Sequence, residues 1–487
     1  MNQSPKRPYL LFLGLLLGMT GLVGCTVGPN YKRPIVDVPA TYRGATADLA
    51  DQSAAPSEQA KPDQEKAEPA SQSLGDEKWW EVFQDKDLQN LIRAALESNY
   101  DVRIAAARVL QAQAQLGITR ADQFPSLGVG GNITAQQSPQ IGPIPAYQVT
   151  QGSLNASAAW NLDFWGKYRR ATESARATLL ANQWAQKEVM VTLVANVAAD
   201  YFQLRQLDLE LEISKRTFGS RKESLQLTQT LEQSGINSLL DVRQSEQLVY
   251  TAATEIPDLE RQIAQEENAI SILLGRNPGE IPRGLKLTEQ PHAPEVPVGL
   301  PSSLLERRPD IREAEENLVA ANAQIGVAKA AYFPQISLTG TAGYESPALT
   351  SLFTGPAGAW TLAASFTQPI FEGGRLKSNV RYSEAQHEQM LLSYQQTIQG
   401  AFRDVSNALI AYRKDREFRI QQQNLFESAQ DAARLSEERF NAGTTDYLEV
   451  LTNETNAFSA DLGLAQAEGN ELIALVQLYQ ALGGGWQ

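Results

Sequence analysis

The sequence predicts a mainly α-helical protein with a small membrane-type β component, built from one unit used twice. Three observations carry that prediction. Lys167 to Ser234 is a run of 68 residues without proline and with one glycine, Gly219, bracketed by Gly166 and Gly235. As a single helix rising ~1.5 Å per residue it is about 100 Å long, well beyond a globular helix or a membrane span. Segments also recur at a constant offset. Asn99-Tyr-Asp-Val-Arg-Ile-Ala leads to Phe124-Pro125 as Arg308-Pro-Asp-Ile-Arg-Glu-Ala leads to Phe333-Pro334, with 310 − 101 and 334 − 125 both 209, and Gly443 follows Gly235 by 208. Finally, four stretches alternate apolar and polar residues with the period of strands.

The N-terminus carries Lys6 and Arg7, an apolar core from Tyr9 to Leu17, and Leu22-Val23-Gly24-Cys25, which ends on the only cysteine. Charged, apolar and small-residue parts in that order make 1–24 a secretory signal. Leu-Val-Gly-Cys resembles the bacterial lipobox, in which cleavage leaves the cysteine first and its sulfur and amine take acyl chains. The competing reading is an ordinary signal followed by a buried thiol; a lone cysteine directly after such a core favours lipidation at Cys25. Thr26, in place of aspartate, favours passage to the outer membrane in that class. Several acyl chains make a stable anchor where one is marginal. Loss of Lys6 and Arg7 takes the formal charge from −14 to −16, which argues against nucleic acid as a partner. Residues 25–76 are rich in Pro, Ala, Ser, Gln, Asp and Glu, with few large apolar residues beyond Tyr31 and Tyr42, and are expected to form an acylated tether.

Folded structure is expected from 77, where Trp79-Trp80 precede Phe83, Leu88, Leu91, Ile92 and Leu96 at helical spacing. Residues 77–300 form the first repeat and 301–487 the second, each reading helix, two strands, very long helix, shorter helix. Phe-Pro ends the leading helix in both, since proline restricts its predecessor. The strands are expected at about 126–136, 150–164, 335–345 and 358–371. In the second, Leu154, Ala156, Ala158, Trp160, Leu162 and Phe164 alternate with Ser153, Asn155, Ser157, Asn161 and Asp163. In the long helix Met190, Val197, Leu204, Leu211, Phe218 and Leu225 recur every seven residues, the pattern of a coiled-coil seam or a bundle core. Its counterpart spans about Leu376 to Ala442. Both long helices end at glycine, Gly235 or Gly443, suited to the left-handed residue that stops a helix. Asn237, and Thr444 or Thr445, are expected to cap the returning helices, Leu239 to Leu274 and Tyr447 to Leu482. Gly275 to Ser303, rich in proline and glycine, reads as a link lying against the rods.

Alternation alone fits a soluble sandwich equally well. Two features favour membrane strands: their ends are aromatic (Trp160, Phe164, Trp165, Tyr168, Trp360, Phe371), and they join very long helices instead of other strands. Four strands alone would leave unpaired edges in lipid, and closed barrels begin at about eight. A barrel must therefore be shared between subunits, eight strands in a dimer or twelve in a trimer, and twelve leave a passage.

The lipobox followed by Thr26-Val-Gly-Pro-Asn-Tyr31, the duplicated Phe-Pro helix ends, Phe371-Glu-Gly-Gly-Arg375 and the closing Ala481-Leu-Gly-Gly-Gly-Trp486 together resemble the outer-membrane efflux factors, a TolC-like family, and within it the OprM-type lipoprotein branch. The resemblance covers Cys25 to Gln487. It implies a homotrimer with a twelve-stranded barrel in outer-membrane lipid, continuous with a long periplasmic α-helical barrel. It further implies two partners, a periplasmic adaptor (membrane fusion) protein and an inner-membrane efflux transporter. The helix turns then lie at the periplasmic end, where family members close and the adaptor grips. By resemblance Leu448 and Glu449, with Asp446, narrow the pore, and Asp241 stands in the equivalent place of the first repeat; for Asp241, helix capping is an equally good reading. Gly235, Arg439 and Gly443 fall at the adaptor-docking turns. Where family members often carry a second aspartate after Val-Leu, this chain has Thr452.

The two histidines, His292 and His387, are far from each other and from the cysteine in sequence, so no metal, cofactor or nucleophile–base constellation is suggested, and the chain reads as a non-enzyme. Without a nucleotide motif it is expected to be a passive duct, and the resemblance implies one that serves a multidrug efflux system. The alternative within transport is the outer channel of a type I protein-secretion system. A lipid-anchored coiled-coil protein would explain the rods and Cys25, but not the alternating aromatic strands.

Overall fold

The computed structural model describes residues 26–43, 73–291 and 301–486. The signal, the candidate lipidation residue Cys25, most of 44–76 and His292 lie outside the described residues. The chain divides into two compact units: Met1–Ile35, Arg108–Asn182 and Ala314–Tyr394 form a sheet unit, while Val36–Ala107, Gln183–Glu313 and Gln395–Gln487 form a helical unit.

The duplication is visible in element lengths. In the first repeat α1 (Trp79–Val82) and α2 (Lys86–Ser98) lead to α3 (Tyr100–Ala121), β1 (Ser126–Ser138), β2 (Tyr147–Leu162), α4 (Lys167–Gln233) and α5 (Leu239–Leu273). In the second, α6 (Pro301–Arg307) leads to α7 (Pro309–Ala330), β3 (Gln335–Ser346), β4 (Gly358–Thr367), α8 (Arg375–Asn441) and α9 (Tyr447–Ala481). Paired helices match residue for residue in length: 22 in α3 and α7, 67 in α4 and α8, 35 in α5 and α9. The repeats also share a joint. Asn99 Nδ2 donates to Leu273 O (2.9 Å), and Arg308 Nη1 donates to Ala481 O (3.1 Å), so each leading helix is tied to the last carbonyls of its returning helix.

In the sheet unit the strands run β1-β2-β3-β4, all antiparallel. The register pairs Leu127 with Ala158, Leu154 with Tyr344, and Ala342 with Trp360, which gathers the apolar residues of all four strands on one face. The other face holds Asn132, Thr134, Ser153, Asn155, Ser157, Thr339, Thr341 and Ser365. The described residues leave the apolar face uncovered: Leu127, Val129, Trp360 and Leu362 are 70–83% exposed. Among the described residues β1 and β4 each pair with one strand only.

β1 and β3 run on to Ser138 and Ser346 and β2 begins already at Tyr147, whereas two strands stop short of the sequence reading. β2 stops at Leu162 because the Asp163 carboxylate accepts the N–H groups of Tyr168 (3.2 Å) and Arg169 (2.9 Å) and so starts α4. Trp165 then stacks on Phe333 (4.8 Å) and donates to Pro334 O (2.8 Å), joining the roots of β2 and β3. β4 stops at Thr367, short of 371, just before Pro369, which has no N–H for a ladder.

In the helical unit the core forms around α4, where Val197, Tyr201 and Leu204 are fully buried. Phe83 packs edge-on to Phe202 and Tyr479. Of the heptad positions Val197 and Leu204 are buried, while Met190, Leu211, Phe218 and Leu225 are half-buried, so the chain itself covers only part of the seam. Asp85 caps α2 and also accepts from Tyr201 (2.9 Å), Leu285 N (2.9 Å) and Gln290 (3.0 Å). Burial pushes this carboxyl up, but those bonds, with the N–H groups of Leu88 and Asp87, hold it below its ordinary value. In its described part, up to Pro291, the link after α5 lies against the long helix: Arg283 pairs with Asp208 (3.1 Å) and Glu267, and Arg205 Nε donates to Leu285 O (3.0 Å).

Candidate functional site at the helix turns

The four candidate gate residues and three candidate docking residues all fall on the two turns that join the long helices to the returning ones. Gly235 (φ +74°) ends α4, with Ile236 N–H donating to Leu231 O (2.9 Å). Gly443 (φ +69°) ends α8, with Thr444 N–H donating to Arg439 O (2.9 Å). Both have the left-handed backbone and the six-to-one bond that close a helix, which any Cβ would strain.

The caps of the returning helices are not those expected. Ser238, not Asn237, caps α5: its hydroxyl accepts from Asp241 N (3.3 Å), while the Asp241 carboxylate accepts from Ser238 N (2.8 Å). Asp446, not Thr444 or Thr445, caps α9 by accepting from Glu449 N (3.1 Å). Thr444 is occupied elsewhere, its hydroxyl donating to Arg439 O (3.0 Å). Asp446 caps here because it sits three residues before the free Glu449 N–H, while the Thr444 hydroxyl is turned to the preceding helix. Ser238-x-x-Asp241 was readable as a capping box.

Arg439 on α8 pairs with Glu449 on α9 (2.8 Å), and Glu449 also accepts from Thr445, so the second turn is cross-braced. Leu448 is exposed. Its counterpart in the first repeat is Leu240 (448 − 240 = 208), which is exposed as well, as are Ile236 and Leu239. The sequence reading passed over these three, although the offset would have found them. Beneath the exposed tip Tyr447, Val450 and Leu451 form a buried cluster with Leu248 and Phe440. Tyr447 also donates to Ser245 (3.3 Å), so the first residue of α9 meets α5 about two turns after the α5 cap. Thr452 turns its hydroxyl to Leu448 O (2.8 Å) and adds no acid to this surface.

Higher on the same helices, Arg216 pairs with Asp461 (2.6 Å), and buried Arg221 donates to Leu248 O (2.9 Å) with its guanidinium 4.8 Å from the Phe458 ring centroid. Burial raises the Glu454 carboxyl, one turn from Phe458, against the pull of Arg221. Among the described residues no group of three or more His, Cys, Asp or Glu is placed to hold a metal, and no helix is long and apolar enough to cross a membrane.

The geometry is thus of exposed leucines and of exposed to half-buried acidic side chains on capped helix ends, with an unclosed amphipathic sheet in the other unit. The sequence profile described as outer membrane efflux protein matches residues 91–276 and 300–484, one match in each repeat. Among curated relatives, the toluene efflux pump outer membrane protein TtgC of Pseudomonas putida is 36% identical over 483 residues, covering 97% of this chain and 95% of that one. The cation efflux system protein CusC of Escherichia coli is 32% identical over 467 residues, with 96% and 97% covered. Among solved structures, the open state of the MtrE outer membrane channel of Neisseria gonorrhoeae superposes with a TM-score of 0.84 at 30% identity, covering 95% of this chain and 99% of that one.

Proposed function

This chain belongs to the outer membrane efflux protein family, and from that premise we propose that three copies close their sheets into one twelve-stranded barrel whose passage continues between the long helices. The chain is the outer-membrane channel component of an efflux system, with a helical extension into the periplasm. The observation that supports closure by copies is the sheet: among the described residues one apolar face is left bare and two edges have no partner strand. In a bilayer unpaired edge groups are prohibitive, so another chain must supply their bonds. Three copies fit better than two because eight strands enclose an interior filled by side chains.

In this reading the apolar face meets lipid and the Asn, Ser and Thr face lines the passage. Acyl chains on Cys25 anchor the chain in the outer membrane. Leu448, Glu449, Asp446 and Asp241, repeated around the three-fold axis, form the constriction at the periplasmic tips. Caps and braces keep these side chains engaged while the tips are together. Gly235, Gly443 and Arg439 shape the turns that a periplasmic adaptor grips, and an inner-membrane transporter supplies the energy. One relative is named for toluene and another for cations, so membership of the family does not by itself name the cargo. We assign this chain to export of drugs or solvents.

Deletion of the gene tests this. Expected is increased susceptibility to drugs or organic solvents, restored by the wild-type chain, with secreted proteins unchanged. Loss of secreted proteins with unchanged susceptibility would instead support the type I secretion channel.

A further inference from the structure

Thr26–Tyr31, which composition assigns to the tether, is packed in the sheet unit and serves no part of the duct described above. It lies in the groove between the first turns of α4 and the later turns of α7. Val27 N–H donates to Trp165 O (3.0 Å), and Asn322 Nδ2 donates to Pro29 O (3.1 Å). Arg170, its side chain 4% exposed, donates through Nη2 to Asn30 Oδ1 (2.7 Å) and to Gly28 O (3.4 Å). Tyr31 donates to Glu315 (3.2 Å), which also pairs with Arg33 (3.1 Å).

Backbone meets backbone in this groove. A Cβ on Gly28 (φ +104°) would stand 2.5 Å from Gly326 Cα. One on Gly326 would stand 2.9 Å from both Val27 O and Arg170 Cγ, and one on Gly166 2.8 Å from Thr26 Cγ2. Only glycine permits such approach.

The two helices flanking this strap belong to different repeats. α4 leaves β2 and α7 leads into β3, and β2–β3 is the one place where the sheet joins the repeats. The duplication supplies an internal comparison. Gly117 corresponds to Gly326 (326 − 117 = 209) and Gly374 to Gly166 (374 − 166 = 208), yet a Cβ on either would meet nothing within 4 Å. Gly117 lies on α3, which precedes β1, and Gly374 follows β4, so the bare glycines belong to the two edge strands. The filled ones belong to the seam closed within the chain.

We propose that Thr26–Tyr31 is a staple that joins the repeats at the root of the β2–β3 seam, seated by Gly28, Gly326 and Arg170, and that its seating is required for sheets to close into the barrel. The seating stands on the contacts above; the requirement for closure rests on the shared-barrel reading.

Hydrogen–deuterium exchange on the purified full chain reads the seating, and heat-resistant oligomer on detergent gels reads closure. Gly326→Val is expected to speed exchange across 26–31 by about tenfold or more, to leave 183–233 unchanged, and to convert the oligomer to monomer. If Gly326→Val also loses protection along 183–233, the Asn30→Ala, Arg170→Met double variant decides, since it removes bonds without adding bulk. It is expected to exchange about fivefold faster at 26–31 with less oligomer. Unchanged exchange at 26–31 overturns the staple. Faster exchange with undiminished oligomer overturns its role in closure. A wild-type protein without any oligomer overturns the shared barrel, and the staple is then judged on exchange alone.

Discussion

Replacing Glu188 with glutamine should make the protein more stable, and more so as pH rises. Glu188 faces a cavity of about 440 Å³ in the helical unit, lined also by Arg308, Asp404, Gln477 and Gln480. Arg308 is committed elsewhere: it forks onto Asp310 (3.0 and 2.6 Å), donates to Ala481 O, and stands 3.6 Å from Asp404. Burial pushes the Glu188 carboxyl up, and the charges of Asp310 and Glu313 add to it; Arg308 and Thr192 oppose them, and the result is about 7 against an ordinary 4.5. A folded-state pKa above the unfolded one means that the native state holds the extra proton between those values. Stability is therefore lost as pH rises through that window and stays reduced above 7. The full difference would cost about 3 kcal/mol, and since solvent reaches part of the side chain we expect about 1–2 kcal/mol at pH 8. Unfolding midpoints of wild type and Glu188→Gln measured from pH 5 to 8 give the test. The gap should be small at pH 5 and widen in favour of the variant towards pH 8. A gap that is constant, or a variant less stable at pH 8, would refute the reasoning.

The remaining expectations concern the two ends of the long helices and the anchor. Leu362→Arg, on the bare apolar face, should cost about 2–4 kcal/mol near the bilayer midplane and abolish heat-modifiable protein in outer-membrane fractions, while Thr361→Arg on the other face is tolerated. Gly443→Ala forces a Cβ into φ +69° at a cost of about 1 kcal/mol, which should appear as faster hydrogen exchange over 436–450 and as drug susceptibility in cells. Glu449→Gln loses an exposed brace worth under ~1 kcal/mol, so the melting point should hardly move, whereas the cation preference of single channels should fall if Glu449 lines the constriction. Cys25→Ser should end incorporation of labelled palmitate; continued labelling would place the lipid elsewhere.

What the sequence revealed was what depends on period. A proline-free run of 68 residues became a 67-residue helix, and an offset of 208–209 fixed its twin, both returning helices and both turns to within a residue or two. The alternation of β2 and β4 placed apolar residues on one side, and the register bears that out. What stayed hidden depends on which of several competent groups wins. Asn237, Ser238, Thr444, Thr445 and Asp446 can all cap, and only backbone geometry selects Ser238 and Asp446. Asp163 likewise reads as a polar strand position until its carboxylate is seen starting α4. The strap 26–31 was missed because composition weighs side chains, and this segment is held by glycine backbones and by Arg170 from far along the chain. At the tips the glycines were legible as turns, whereas Ile236, Leu239 and Leu240 carried no motif of their own.

Cysteines introduced in pairs along the outer edges of β1 and β4 test the shared barrel most directly, because among the described residues of one chain these edges face no strand. Oxidised in outer membranes with Cys25 retained, its sulfur occupied by lipid in this reading, the protein should form an intermolecular ladder that ends at a closed trimer conducting ions in planar bilayers. A ladder ending at the dimer, or edge cysteines that join no second chain, would contradict the account.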